Sequence, residues 1–292
     1  MTGIPKNAGV PEQVGVLGGG RMGAGVAHAF LLAGAAVTIV EQGENEACAA
    51  WERVMATVDK SLSLGKIAGQ RSHFADRLTV ATDVAAFAEA GLVVEAVPED
   101  PALKSSALCA VEKHLTATAW LASNTSSLSI TDLAGALERP ERFIGLHFFN
   151  PVPVSELIEV VTGERTSLEL VELARGWVAA LGKTPVIVRD APGFASSRLG
   201  VAIALEAIRM VEEGVASPSD IDAAMVLGYK HPVGPLRTTD IVGLDVRLGI
   251  AEHLHETLGD RFAPPQLLRD MVARGDLGRK SGRGFFDWKD SE

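Results

Sequence analysis

The sequence of 292 residues has little of what several classes of protein require. It contains only two cysteines, Cys48 and Cys109, which are too few for a disulfide framework or a zinc site. No apolar run approaches the roughly 20 uncharged residues of a membrane span, and the N-terminus carries no hydrophobic signal core. We therefore expect a cytoplasmic protein with no metal site, no membrane contact and no thiol chemistry.

Basic residues are also scarce, because 27 lysines and arginines stand against 37 aspartates and glutamates and leave a formal charge of −10. Proteins that bind nucleic acids meet the phosphates with surplus Lys and Arg, and no basic stripe interleaved with aromatic residues is present here. The composition therefore argues against a nucleic-acid partner. It leaves room for a small anionic ligand that is held by a few local groups.

Strand-like apolar runs alternate with helical stretches through the first two thirds of the chain. The runs lie near residues 14–17, 36–40, 78–80, 92–97, 120–123, 142–146, 157–161 and 185–188. This alternation is typical of a parallel sheet covered by helices on both faces. Beyond Asp190-Ala191-Pro192-Gly193, the apolar residues fall at helical spacing. We predict an α/β fold with a doubly wound sheet over residues 1–190 and an all-helical C-terminal domain over residues 191–292.

A glycine motif, Gly18-x-Gly20-x-x-Gly23, lies between the first strand and the first helix. In such a motif the first glycine makes a tight turn, the second lets the backbone approach a pyrophosphate, and the third lets helix and strand pack closely. Glu41 ends the second strand, where a carboxylate accepts both ribose hydroxyls, and Gln42 beside it offers no positive charge for a 2′-phosphate. The motif predicts a Rossmann-type domain that binds NAD, although FAD uses the same fingerprint and a simple glycine-rich turn is the alternative.

Three polar side chains lie within the predicted strands or directly after them. Ser126 follows one strand, His147 ends the next apolar run, and Glu159 lies inside another. A carboxylate in an apolar run is costly to bury unless it is paired, and a histidine is the obvious partner. Such a pair suits a general base that takes a hydroxyl proton, with Ser126 bonded to the reacting oxygen. Taken singly, each residue also fits a structural histidine, a common serine turn or a carboxylate that faces water.

The sequence resembles the 3-hydroxyacyl-CoA dehydrogenase family, especially its short single-chain members that act on 3-hydroxybutyryl-CoA. The matching segments follow the family's order: VGVLGGGRMGAGVA, VVEAVPEDPALK, LASNTSSLSIT, RFIGLHFFNPVPVSELIEVV, DAPGF, HPVGPLRTTDIVGLD and LGRKSGRGFF. The resemblance implies reversible, NAD-dependent oxidation of a short-chain L-3-hydroxyacyl-CoA to the 3-ketoacyl-CoA, as in fatty acid β-oxidation. It also implies a homodimer formed through the helical domain, which would also bind the substrate.

The resemblance further implies roles for individual residues. His147 would be the catalytic base, Glu159 its carboxylate partner, and Ser126 the hydroxyl that contacts substrate and nicotinamide. The implied cofactor contacts are the glycine motif with Arg21 and Met22, then Glu41, Glu99, Lys104, Ser126, Asn150 and Lys280. The implied substrate contacts are Ser126 and Asn150, together with Ser61 and Lys66, which correspond to where such enzymes meet coenzyme A. An ordinary solvated helix explains the segment with Ser61 and Lys66 equally well, and Lys104 also fits a plain surface lysine.

One position departs from the family pattern. Where relatives have an asparagine three residues after the PGF segment, which helps to hold the substrate at the catalytic centre, this chain has Ser197. A serine hydroxyl is shorter than a carboxamide and lacks one hydrogen-bonding arm. Either a water fills the gap, or the substrate differs from a simple acyl thioester.

Three other functions stay open at this point. The same residues suit a dehydrogenase of another 3-hydroxy substrate, such as a free hydroxy acid, a carnitine-like alcohol, a sugar acid or a carrier-protein thioester. The β-hydroxyacid dehydrogenases share the glycine loop and the helical second domain, but they use a lysine where this chain offers His147 and Glu159. A non-catalytic NAD-binding or structural protein is the third, and the three retained catalytic side chains argue against it.

Overall fold

The computed structural model describes residues 9–288, and these fall into two compact units that change over between Asp190 and Ala191. The first unit contains one eight-stranded sheet. Its strands are β1 (Gln13–Leu17), β2 (Ala36–Val40), β3 (Leu78–Ala81), β4 (Leu92–Glu95), β5 (Trp120–Ser123), β6 (Phe143–Phe148), β7 (Leu157–Thr162) and β8 (Thr184–Arg189). The strand order is β3-β2-β1-β4-β5-β6-β7-β8.

The order reverses on either side of β1, which pairs in parallel with β2 on one edge and with β4 on the other. Ligands of open α/β sheets bind outside the carboxyl ends of the strands at such a reversal. Every residue of β4, β5 and β6 is buried, as expected for strands that are covered on both faces. The fold therefore places a ligand site beyond the ends of β1 and β4.

Six helices accompany the sheet. They are α1 (Arg21–Leu32), α2 (Glu44–Ser63), α3 (Arg71–Ala75), α4 (Pro101–Glu112), α5 (Ile130–Ala134) and α6 (Leu168–Ala180). Short polar residues begin three of them, since Asp100, Ser129 and Ser167 accept backbone N–H bonds at the starts of α4, α5 and α6. Phe30 and Met55 from the helices pack with Ile39 and other strand residues in one buried core.

The last two strands depart from the parallel arrangement. Strand β7 pairs antiparallel with β6, and β8 pairs in parallel with β7. The connection between β6 and β7 consists of residues 149–156 alone, which is too short for the crossover that a parallel pair needs. The chain therefore turns back on itself, and facing residues of β6 and β7 lie directly opposite each other.

The second unit is built from helices. They are α7 (Ser196–Glu212), α8 (Pro218–Ala223), a π-helical turn (Ala224–Gly228), α9 (Pro235–Val242), α10 (Leu244–Leu258) and α11 (Gln266–Ala273). Val201, Leu254 and Leu268 belong to its buried core. Asp240 is fully buried and accepts bonds from the backbone N–H groups of Phe285 and Phe286, so it anchors the C-terminal segment.

The fold class predicted from the sequence, a doubly wound sheet followed by a helical domain, is confirmed. What the sequence pattern did not reveal is the reversed direction of β7 and β8. Among the helices within residues 9–288, none is long and apolar enough to cross a membrane.

Candidate active site

The glycine motif forms the turn from β1 into α1. Gly18 has a φ of +90°, a conformation that favours glycine, and a Cβ on Gly23 would lie only 1.8 Å from the Gly18 oxygen. Gly20 begins α1 without a side-chain cap, and a Cβ there would meet nothing within 4 Å. There is therefore open space beside Gly20 at the start of α1, where a pyrophosphate would meet the first-turn N–H groups. The residues present fit a dinucleotide.

Gly19 is held from both sides by side chains of opposite charge. Its N–H donates to Glu41 Oε1 at 2.6 Å, and its carbonyl accepts from Arg53 Nη1 at 3.0 Å. Glu41 thus lies beside the glycine loop at the end of β2, where a ribose would be met. Arg53, on α2, is a cation close to this loop that the sequence did not reveal.

His147 and Glu159 form the centre of the candidate site. They face each other directly across the antiparallel pair of β6 and β7, and His147 Nδ1 lies 2.8 Å from Glu159 Oε2. His147 is 6% exposed and Glu159 is fully buried. The ring of Phe149 lies against the imidazole, with centroids 4.4 Å apart. The contact predicted between the two side chains is present, because the short turn fixes their register.

The loop after β5 carries Ser126 and is held by one carboxylate. Glu99 Oε1 accepts from the N–H groups of Ser126 and Ser127 at 2.8 and 3.0 Å, and from the Thr125 hydroxyl at 2.6 Å. Burial raises the pKa of Glu99, but the charge of Lys104 and these hydrogen bonds outweigh it and lower the pKa below its ordinary value. Glu99 is therefore an ionised clamp on the loop.

Lys104 is buried rather than a surface lysine. It is 1% exposed, and its ammonium lies 2.7 Å from Glu95 Oε1, 3.2 Å from Glu99 Oε2 and 3.0 Å from the Val97 carbonyl. The surface alternative is therefore wrong. An ammonium has three hydrogens, and these three acceptors occupy them.

The remaining predicted residues of the first unit lie in different surroundings. Arg21 and Asn150 are exposed, whereas Met22 is partly buried against the core. Ser61 is 6% exposed, donates its hydroxyl to the Thr57 carbonyl and lies 3.2 Å from His28 Nε2. Lys66 is exposed. Of Ser61 and Lys66, the two residues predicted to meet coenzyme A, Lys66 is thus the accessible one.

Ser197 and Lys280 belong to the second unit. Ser197 is half-buried in the first turn of α7. Lys280 is about half exposed, and its ammonium lies 2.6 Å from Asp245 Oδ2. Their predicted roles toward substrate and cofactor stay predictions.

Sequence reasoning missed three residues that organise the site. Glu95 ends β4 inside an apolar run, which is the same signal that singled out Glu159. Asn124 Oδ1 accepts from the Phe148 N–H at 2.9 Å and so joins the loop after β5 to the end of β6. Its place in the NTSS segment was the available signal. Arg53 gave none, since its role depends on how α2 packs beside the loop.

Two family models together match nearly the whole chain. The NAD binding domain of 3-hydroxyacyl-CoA dehydrogenase matches residues 13–191, and the C-terminal domain of 3-hydroxyacyl-CoA dehydrogenase matches residues 193–288.

Individual relatives agree with these matches. The 3-hydroxybutyryl-CoA dehydrogenase of Mycobacterium tuberculosis is 42% identical over 284 residues, which cover 95% of this chain and 98% of the relative. The human mitochondrial hydroxyacyl-coenzyme A dehydrogenase is 38% identical over 299 residues, which cover 96% and 92% of the two chains. The crystal structure of (S)-3-hydroxybutyryl-CoA dehydrogenase from Ralstonia eutropha superposes with a TM-score of 0.91 at 36% identity, over 95% of this chain and 99% of that one. Because both family models and relatives of this identity span almost the entire chain, the protein belongs to the 3-hydroxyacyl-CoA dehydrogenase family of NAD-dependent oxidoreductases.

Proposed function

We propose that this enzyme interconverts short-chain L-3-hydroxyacyl-CoA, such as 3-hydroxybutyryl-CoA, and the matching 3-ketoacyl-CoA. The observation that carries the proposal is the buried pair of His147 and Glu159, joined at 2.8 Å. Oxidation of an alcohol needs a group of near-neutral pKa that takes the hydroxyl proton, and imidazole is such a group. The names of the relatives indicate the acyl-CoA substrate, and fatty acid β-oxidation is the corresponding metabolic setting.

The contact between His147 Nδ1 and Glu159 supports different tasks for the two nitrogens of His147. Nδ1 faces Glu159 and donates its hydrogen to that carboxylate, so Nε2 is the nitrogen that takes the substrate proton. The carboxylate holds the ring in this tautomer and stabilises the imidazolium that forms. In the reverse direction the imidazolium returns the proton to the reduced carbonyl oxygen.

Ser126 and the glycine loop orient the other reactants. We propose that the Ser126 hydroxyl, which donates to Glu99 Oε1 at 3.2 Å in this structure, turns to bond the reacting oxygen, while Asn150 contributes a further contact from the turn after β6. The N–H groups at the start of α1 and the Glu41 carboxylate would hold the pyrophosphate and the ribose of NAD. When bound, NAD accepts the hydride from the carbinol carbon.

The carrier half of the substrate needs a separate contact. We propose that Lys66 meets a phosphate of coenzyme A, because it is an exposed ammonium on the segment after α2. The Ser61 hydroxyl is already engaged within the unit by the Thr57 carbonyl and by His28 Nε2, so the proposed phosphate contact rests on Lys66.

We further propose a cytoplasmic homodimer that forms through the helical unit and has no nucleic-acid partner. Leu199, Ile203 and Val246 of α7 and α10 are 62%, 38% and 44% exposed, which supports an apolar contact on this unit. Sedimentation of the purified protein tests the oligomeric state. Leu199→Glu should shift it toward the monomer.

The function is tested by initial rates of NADH oxidation with acetoacetyl-CoA, longer 3-ketoacyl-CoAs and free 3-keto acids, each repeated with NADPH. We expect acetoacetyl-CoA with NADH to be the preferred combination. Ser197 supports one second candidate, a dehydrogenase of another 3-hydroxy substrate, since its shorter side chain alters the predicted substrate contact. A clear preference for free acids would favour that candidate and contradict the coenzyme A assignment.

A further inference from the structure

We propose that Glu95 is a positioning residue that fixes the loop carrying Ser126, acting through Lys104 and Glu99. The inference rests on the proposed function, because it gives Ser126 a task at the reacting oxygen. It adds a residue on β4, outside the catalytic pair.

Glu95 is fully buried at the end of β4, and each of its carboxylate oxygens is engaged. Oε1 accepts from Lys104 Nζ and from the Val97 N–H, both at 2.7 Å. Oε2 accepts from the Ser123 hydroxyl at 2.5 Å. A buried carboxylate with this set of donors is held in one orientation, so it provides a rigid anchor.

The first route from Glu95 to the loop passes through charges. Lys104 lies between Glu95 Oε1 and Glu99 Oε2, with Nζ–O distances of 2.7 and 3.2 Å. Because Lys104 holds Glu99 at Oε2, the other oxygen, Oε1, is directed at the loop and accepts from the Ser126 N–H at 2.8 Å. The contacts therefore run from Glu95 to Lys104, then to Glu99, and from there to the loop after β5.

The second route is shorter and contains no charge beyond that of Glu95. The Ser123 hydroxyl donates to Glu95 Oε2, and the Ser123 oxygen accepts from the Thr125 N–H at 3.1 Å. Thr125 is 1% exposed, and its own hydroxyl bonds Glu99 Oε1. Glu95 thus restrains the start of the loop through the Ser123 hydroxyl, and its middle through Lys104 and Glu99.

The arrangement explains why two carboxylates share one buried ammonium. A buried ammonium is costly without a counter-charge, and Glu95 supplies it inside the domain. The 35% exposed side chain of Glu99 then remains the part of the cluster that reaches the loop. Without the charge of Glu95, Lys104 would have only Glu99 as a counter-charge and would draw it away from the loop.

The test is a double-mutant cycle in the intact enzyme that combines Glu95→Gln with Ser126→Ala. Glutamine keeps the shape of Glu95 but removes its charge. We expect Glu95→Gln to lower kcat roughly 10-fold, because misplacement of a reacting group costs rate, while the dissociation constant of NADH from fluorescence titration changes less than about threefold. In the double variant kcat should equal that of Ser126→Ala alone, since the loop has then lost the hydroxyl that Glu95 positions.

A matched control is Glu112→Gln on α4, the helix that carries Lys104. Glu112 is also a buried carboxylate, 8% exposed, and it accepts from the N–H groups of Glu138 and Arg139 at 2.8 and 2.9 Å. Glu112 contacts a different loop, so removal of its charge should lower the melting temperature and leave kcat unchanged. This separates a positioning effect from a loss of stability.

Two results would overturn the inference. One is a kcat of Glu95→Gln equal to that of the wild type, and the other is a double variant whose losses multiply. If Glu95→Gln does not fold, Ser123→Ala replaces it in the cycle and should show a smaller loss with the same dependence on Ser126. A wild-type enzyme that is inactive with acetoacetyl-CoA would instead contradict the proposed function, so the two failures are distinguishable.

Discussion

His147 and His28 are both buried in the first unit, but their neighbours differ in charge. His147 lies 2.8 Å from the carboxylate of Glu159. His28, 2% exposed on α1, has the Ser61 hydroxyl 3.2 Å from its Nε2. Burial, together with the positive charge of Lys183, lowers the pKa of His28 to about 4. The carboxylate of Glu159 thus favours a positive charge on His147, whereas the ammonium of Lys183 disfavours one on His28.

The difference shows that burial alone does not make a catalytic base. A buried imidazole that lies near a cation, as His28 lies near Lys183, stays neutral through the physiological range. The two regions also divide the proposed tasks. The strands around His147 would carry the chemistry, whereas the end of α2 beside His28, with Ser61 and Lys66, would carry part of the substrate binding.

The largest expected effect is at the catalytic pair. His147→Ala should lower kcat by about 10²–10⁴ because the proton acceptor is removed. NADH should still bind, which fluorescence titration of the variant checks. Turnover close to that of the wild type would contradict the assignment of the base.

A smaller loss is expected when only the partner changes. Glu159→Gln retains the shape of the side chain but removes the charge that stabilises the imidazolium, so kcat should fall by roughly 100-fold. The measurement is kcat as a function of pH. Both the size of kcat and the pH at which it changes should differ from those of the wild type. An unchanged profile would show that Glu159 serves packing, as Ser61 does for His28.

The other histidine should affect stability instead of turnover. In the unfolded chain His28 titrates near its ordinary value of 6.5, whereas in the folded chain it stays neutral down to about 4. Between these values the unfolded state binds more protons than the folded state. The contribution of His28 to the free energy of unfolding is therefore complete above pH 6.5 and is lost as the pH falls toward 4. The loss amounts to at most about 3 kcal/mol.

His28→Gln should therefore flatten the decline in unfolding free energy between pH 6.5 and 4. Urea titrations at several pH values measure it. Turnover at neutral pH should match that of the wild type. An equally steep decline in both proteins would show that other groups cause the acid sensitivity.

Lys66→Ala tests the binding side of the comparison. The KM for acetoacetyl-CoA should rise by up to about fivefold, the size expected for one exposed charge pair, while kcat stays unchanged. Lys113→Ala, which removes another exposed lysine of the same unit, is the control and should leave KM unchanged. Equal effects of both variants would point to general electrostatics instead of a specific contact.

The smallest effect is expected at the position that departs from the family pattern. Ser197→Asn should leave the enzyme active with acetoacetyl-CoA, because a carboxamide offers the hydrogen-bonding arms that the family resemblance predicts at this position. Initial rates with acyl-CoA and free acid substrates measure it. Complete loss of turnover would show that the serine has a role of its own in the reaction.

Much of the candidate site was predictable because local patterns carry it. The glycine motif required its spacing, and Glu159 stood out as a carboxylate in an apolar run. The same signal applied to Glu95. Its partner Lys104, however, lies in the first turn of α4, and nothing in the surrounding sequence shows that this lysine is buried. Arg53 and Asn124 were missed for the same reason, since both act on segments distant in the sequence.

The sequence by itself determined the alternation of strands and helices, the glycine turn and the chemistry available at its ends, because these depend on short-range periodicity and residue type. Only the tertiary structure decided that β7 runs antiparallel to β6 and places Glu159 opposite His147. It likewise decided that Lys104 lies between Glu95 and Glu99 and that His28 lies near the Ser61 hydroxyl and the positive charge of Lys183. Burial and pairing of charge depend on which distant segments pack together, and that is a property of the folded chain.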